Sequence, residues 1–153
     1  MKHRWAALLY VLALGALVPT AGAAQDTPAA TKPPPERSPG FELGQNYPNP
    51  FNPATTIPFT LGDPPACSEQ GRSYRVTLRI YNVLAQLVAI PVLLGGDGAT
   101  GQPVVNLQLH CGSYAAFWDG NYLNSSQEIS SGIYLYRIEV EGRAVAKKMI
   151  VIK

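Results

Sequence analysis

Residues that carry reactive chemistry are scarce in this 153-residue sequence, which holds two cysteines and two histidines. His3 belongs to the leader described below, so one imidazole, His110, remains, and it adjoins Cys111. A lone histidine beside a cysteine that export would oxidise does not make a nucleophile–base pair. No second His/Cys pair stands at ligand spacing, which argues against a metal site. Charge is scarce as well. Without Lys2 and Arg4 the twelve basic residues become ten, equal to the ten acidic ones. No basic cluster exceeds Lys147-Lys148, far short of the many phosphate contacts that nucleic-acid binding needs. Nucleic acid is therefore excluded as a partner, and neither a cofactor nor a small-molecule substrate is evident.

Carboxylates offer little more. Asp119, in Trp118-Asp119-Gly120-Asn121, lacks the second placed carboxylate of a glycosidase. It reads as a turn cap whose oxygens accept backbone N–H bonds while Gly120 takes positive φ. Gly95-Gly96-Asp97-Gly98 has neither the lysine nor the helix of a phosphate loop and reads as a hairpin turn. Asn124-Ser125-Ser126 fits a glycosylation acceptor only formally. The expectation is a protein without catalytic residues.

The front of the chain is more telling. Lys2, His3 and Arg4 precede an apolar run from Trp5 to Val18, and Ala21-Gly22-Ala23-Ala24 follows, the three parts of a secretory signal. Residues 1–24 are read as a signal peptide and the protein as exported. No later stretch approaches the roughly 20 apolar residues of a spanning helix. Residues 25–40 hold Pro28, Pro33, Pro34, Pro35 and Pro39 with almost nothing to bury, the composition of an extended linker. Residues 41–153 are then the folded domain.

That domain is introduced by Gln45-Asn46-Tyr47-Pro48-Asn49-Pro50-Phe51-Asn52-Pro53. Pro48, Pro50 and Pro53 fix φ and remove three donors, while Asn46, Asn49 and Asn52 can close local Asx turns. The string is a built loop, with Tyr47 and Phe51 expected to pin it onto a core. Thr55 to Leu61 then alternates Ile57, Phe59 and Leu61 inward, and Tyr74 to Tyr81 alternates likewise. Gln86 to Leu94 is a run broken by Pro91, and Val104 to Leu109, Ser113 to Trp118, Ile133 to Val140 and Arg143 to Ile152 supply further strands, with Glu141-Gly142 as a hairpin turn. About seven short strands without helical periodicity predict an all-β antiparallel sandwich. Trp118 is the expected core anchor, and Tyr134, Tyr136, Ile138 and Val140 the expected inner face of their strand. The only two cysteines, Cys67 and Cys111, both fall in loops, so an intramolecular disulfide is expected in an exported chain.

Leu43 with the Gln45–Pro53 string, Arg79-Ile80-Tyr81-Asn82, Trp118-Asp119-Gly120, Ser131-Gly132-Ile133-Tyr134 and the ending from Lys147 to Lys153 together resemble a type A C-terminal sorting domain. That family serves the type IX secretion system and is similar to the immunoglobulin-like domain of flagellar hook-capping proteins. The resemblance covers residues 41–153 and implies an immunoglobulin-like sandwich that an outer-membrane translocon recognises. It also implies that a sortase-like peptidase can act at the cell surface after passage through the periplasm. By position, Gly132, Ile133, Tyr134, Lys147, Lys148, Met149 and Val151 match the sorting motifs. Physically, the last strand is expected to offer a partner an edge, paired ammonium groups and an apolar face from Met149 to Ile152.

Three departures stand out. Ala85 replaces the glycine usual in the family's Tyr-Asn turn, which leaves a positive φ there in doubt. Ser125 or Ser126 replaces a second glycine, and the connection from Gly95 to Ser113 is long and brings Cys111. Residues 25–40 are too few for a cargo domain to bury a core, so either the domain is itself the product or its cargo is missing. The alternative function is a structural or adhesive immunoglobulin-like module of a surface assembly.

Overall fold

The computed structural model describes residues 40–95, 99–123 and 125–153. The expected signal peptide, the linker up to residue 39, part of the glycine turn and Asn124 lie outside the described residues. Nine strands and no helix occur among them: β1 (Phe41–Leu43), β2 (Thr55–Leu61), β3 (Ser73–Asn82), β4 (Leu87–Ala89), β5 (Val92–Leu94), β6 (Leu107–His110), β7 (Gly112–Trp118), β8 (Gly132–Val140) and β9 (Arg143–Val151). They form two antiparallel sheets, one ordered β1-β2-β7-β5 and the other β4-β3-β8-β9, with β6 pairing the first residues of β3. The described residues form an all-β sandwich, as the alternation predicts.

Strand periodicity decides what lies between the sheets. Ile57, Phe59 and Leu61 of β2 face Val76, Leu78 and Ile80 of β3, Tyr136, Ile138 and Val140 of β8, and Met149 and Val151 of β9, all buried in one core. Tyr134 is only partly buried at its rim. Burying such side chains contributes about 1.5–3 kcal/mol each, opposed by the entropy of ordering them. Glu141 and Gly142 both take positive φ, 50° and 79°, the geometry of the two-residue hairpin that sets the β8–β9 register from Val140↔Arg143 to Gly132↔Val151.

Three features differ from the sequence expectation. β1, at three residues, is too short for a period to show in the sequence. The run from Gln86 to Leu94 is two strands in different sheets, β4 beside β3 and β5 beside β7. Pro91 stands at the crossing, where the donor it lacks is not needed for a ladder. The expected strand from Val104 shrinks to β6, since Val104 instead spans the sheets: its N–H donates to Pro91 O (2.9 Å) and its carbonyl accepts from Leu78 N (2.8 Å).

Ala85 corrects the doubt about the β3–β4 turn. Its φ is +59° despite the Cβ, a conformation that costs an alanine about 1–2 kcal/mol. Asn82 holds the turn closed: its Oδ1 accepts from the N–H groups of Leu84 and Gln86, both at 3.0 Å, and its carbonyl accepts from Ala85 N at 3.0 Å.

Candidate functional site

The proline-rich loop from Gln45 to Pro53 connects β1 to β2, and on its way it crosses to the other sheet. Phe51 carries that crossing. Its N–H donates to Ile150 O and its carbonyl accepts from Ile152 N, both at 3.0 Å, so it pairs in parallel beside Val151. Asn49 Oδ1 accepts from Ile150 N at 2.9 Å, and Gln45 Nε2 donates to Lys148 O at 3.2 Å. Asn49 therefore bonds 101 residues away and does not close the local turn expected of it.

Side chains complete the joint. The Phe51 ring, 1% exposed, meets Trp118 edge-on with centroids 5.6 Å apart, and Trp118 meets Tyr134 edge-on at 6.2 Å. Such pairs add about 0.5–1.5 kcal/mol beyond their area. The Trp118 indole N–H donates to Asn121 O at 2.9 Å, so the one polar atom of the anchor is satisfied. Tyr47, expected to pin the loop alongside Phe51, is 70% exposed and does not.

The Trp118-Asp119-Gly120 turn is shaped to receive the loop. Gly120 has φ +81°, and a Cβ there would lie 2.2 Å from the carbonyl oxygen of Pro53. Only glycine permits that approach. Asp119 is exposed, and its oxygens accept from Asn121 N (2.9 Å) and Asn121 Nδ2 (2.8 Å), which occupies it as a turn cap. Gly132 has room for a Cβ, which would meet only the Tyr134 ring at 3.9 Å, but its φ of +158° is one that residues other than glycine rarely adopt.

Beneath the loop lies a buried polar network that residue patterning did not reveal. Asn46 Nδ2 donates to Pro48 O (3.1 Å) and Thr55 Oγ1 (3.0 Å), and Thr55 Oγ1 donates to Pro48 O (3.0 Å). Fully buried Tyr136 joins it from β8: its hydroxyl accepts from Asn46 N (3.0 Å) and donates to Gly44 O (2.9 Å). An asparagine among prolines was the only hint: Pro48 and Thr55 are near in sequence, but Tyr136 comes from 90 residues away. Pro50 is exposed, so it shapes the loop without joining this network.

Burial pushes the Tyr136 phenol above its ordinary value of 10.0, partly offset by the bond from Asn46. The folded state thus favours the neutral phenol, so this contribution is complete below pH 10 and is lost as pH rises further. We expect Tyr136→Phe to cost about 1–3 kcal/mol at neutral pH, because Asn46 N–H and Gly44 C=O lose their partner. Chemical denaturation between pH 8 and 11 checks this. The wild-type advantage should shrink in the alkaline range, whereas a constant gap would contradict it.

The last strand is not a single charged and apolar face. Alternation turns Lys147, Met149 and Val151 toward the core side and Lys148 and Ile150 to the outer surface. The two ammonium groups are therefore on opposite faces, and neither makes an ion pair among the described residues. On the outer surface Lys148 lies opposite Leu135, and Ile150 opposite Ile133; Leu135 and Ile133 are 41% and 49% exposed. Among the described residues no group of three or more histidine, cysteine or acidic side chains could hold a metal. No family model matches the chain, and no curated protein or solved structure matches it either.

Proposed function

We propose that residues 41–153 form a non-catalytic sorting domain that directs export across the outer membrane by type IX secretion. One observation carries this reading. Four of the five blocks behind the resemblance meet at one corner: the loop ending at Pro53, Trp118 to Gly120, Tyr134, and the strand through Val151. Segments about a hundred residues apart make one surface only after the sandwich has formed. The address is then read on a folded domain that has reached the periplasm. The partner is an outer-membrane translocon, followed by a sortase-like peptidase, with the product at the cell surface or outside. The exposed Ile133, Leu135 and Lys148 beside that corner supply apolar area and one cation for such contact.

Placing Phe41 to Lys153 behind a reporter with a signal peptide, in a host with the type IX system, tests the reading. Surface display of the reporter is expected; retention in the periplasm would contradict it. The second reading, a structural or adhesive module of a surface assembly, is favoured by the unpaired part of the β9 edge. Self-association of the purified domain, with export indifferent to loss of β9, would select it.

A further inference from the structure

The loop covers only part of the open side of the sandwich. Beside Ile150 and Ile152 the β9 edge is occupied, and Lys148 C=O has Gln45. Toward the β8–β9 hairpin the next outward-facing groups are Lys148 N–H and both backbone groups of Ala146 and Ala144. None has a partner among the described residues. This bare edge spans about 14 Å at the usual strand rise. Next to it a cleft of about 580 Å3 separates β9 from β1 and is lined by Phe41, Glu42, Leu43, Thr60, Val145 and Lys147.

We infer that this edge accepts an extended acidic segment of a partner protein, added to the sheet as a strand alongside Ala144 to Lys148. Backbone groups give such a strand its hydrogen bonds, and side-chain pairing gives it selectivity. On the inner side the incoming strand meets Val145 and Lys147, and on the outer side Ala144, Ala146 and Lys148. The alanines leave room for any residue. The lysines do not: an apolar strand would strip water from the unpaired Lys147 ammonium at the cleft without replacing it. A carboxylate opposite the Lys147 ammonium removes that penalty, and alternation then puts every carboxylate of the incoming strand on the Lys147 side. Lys147 thus guards the edge against indiscriminate pairing while admitting one kind of strand. The segment that fits alternates apolar and acidic residues over about five positions.

The inference needs no export role, so a chain that is exported yet binds nothing here, or the reverse, separates the two ideas. The probe is a synthetic seven-residue peptide alternating valine with glutamate, and the control replaces each glutamate with lysine. Amide hydrogen exchange is followed residue by residue on the full chain. With the glutamate peptide at millimolar concentration, exchange at Ala144, Ala146 and Lys148 should slow at least tenfold, and the lysine peptide should leave it unchanged. Lys147→Glu should weaken the first effect and let the lysine peptide slow exchange, with Leu78 and Ile138 amides reporting that the core is intact. Four results overturn the inference: no slowing with the glutamate peptide, equal slowing by both peptides, slowing at Phe41 and Leu43 instead, or slowing that grows with protein concentration alone.

Discussion

Reduction of the Cys67–Cys111 bridge is expected to lower the unfolding free energy by about 4 kcal/mol, the chain-entropy value for a loop of this length. The separation is 44 residues, and the bridge is present in the structure. Its position matters as much as its length. Cys111 is the single residue between β6 and β7, where the chain leaves one sheet for the other. Cys67 lies on the β2–β3 connection, which makes the opposite crossing. The bond ties the two crossings together at one end of the sandwich. A β-sandwich built from non-local pairs must close long loops before its contacts form, so removing the tie also slows folding. Urea unfolding of the oxidised chain against the Cys67→Ala/Cys111→Ala variant measures the effect. A loss below about 1 kcal/mol would mean that strain, including Cys67 at φ +45°, cancels the entropic gain.

Phe51→Ala is expected to cost about 3–5 kcal/mol, the range for truncating a buried aromatic ring. This is large for a residue in a loop. The ring is 1% exposed and packs on Trp118, so its loss opens a cavity against the indole and frees the loop from β9. Tyr47→Ala is the matched control: it removes a 70% exposed ring from the same loop and should stay within about 0.5 kcal/mol. Equal effects at the two positions would show that the loop does not pack as described. Under the proposed function, Phe51→Ala also abolishes surface display in a host where Tyr47→Ala leaves it unchanged.

Much of the fold was readable from alternation, because β2, β3, β8 and β9 each bury one face and β-period patterning reports burial directly. Glu141-Gly142 was readable for a related reason: a two-residue hairpin between alternating runs admits few turns. Sheet assignment was not readable. Pro91 and Cys111 mark crossings between sheets, yet each lies in or beside an apolar run that looks continuous, and alternation does not say which sheet a strand joins. The joint at Phe51 was half legible. Prolines and asparagines announced a rigid loop, but Asn49 reaching Ile150 and Asn46 reaching Tyr136 depend on segments brought close only by the fold. Lys147 and Lys148 show the opposite lapse. Their adjacency suggested a pair, although a period of two already places neighbours on opposite faces.

If the proline-rich loop and the last strand form one unit, the amides within β9 and at its end must differ in exchange according to whether the loop covers them. Ile150 and Ile152 N–H point away from β8 and are held by Asn49 and Phe51; Ala144 and Ala146 N–H point the same way with no partner among the described residues. Strong protection is expected for the first pair and rapid exchange for the second. Similar rapid exchange at all four amides would contradict it, because the loop would then not be seated on the strand.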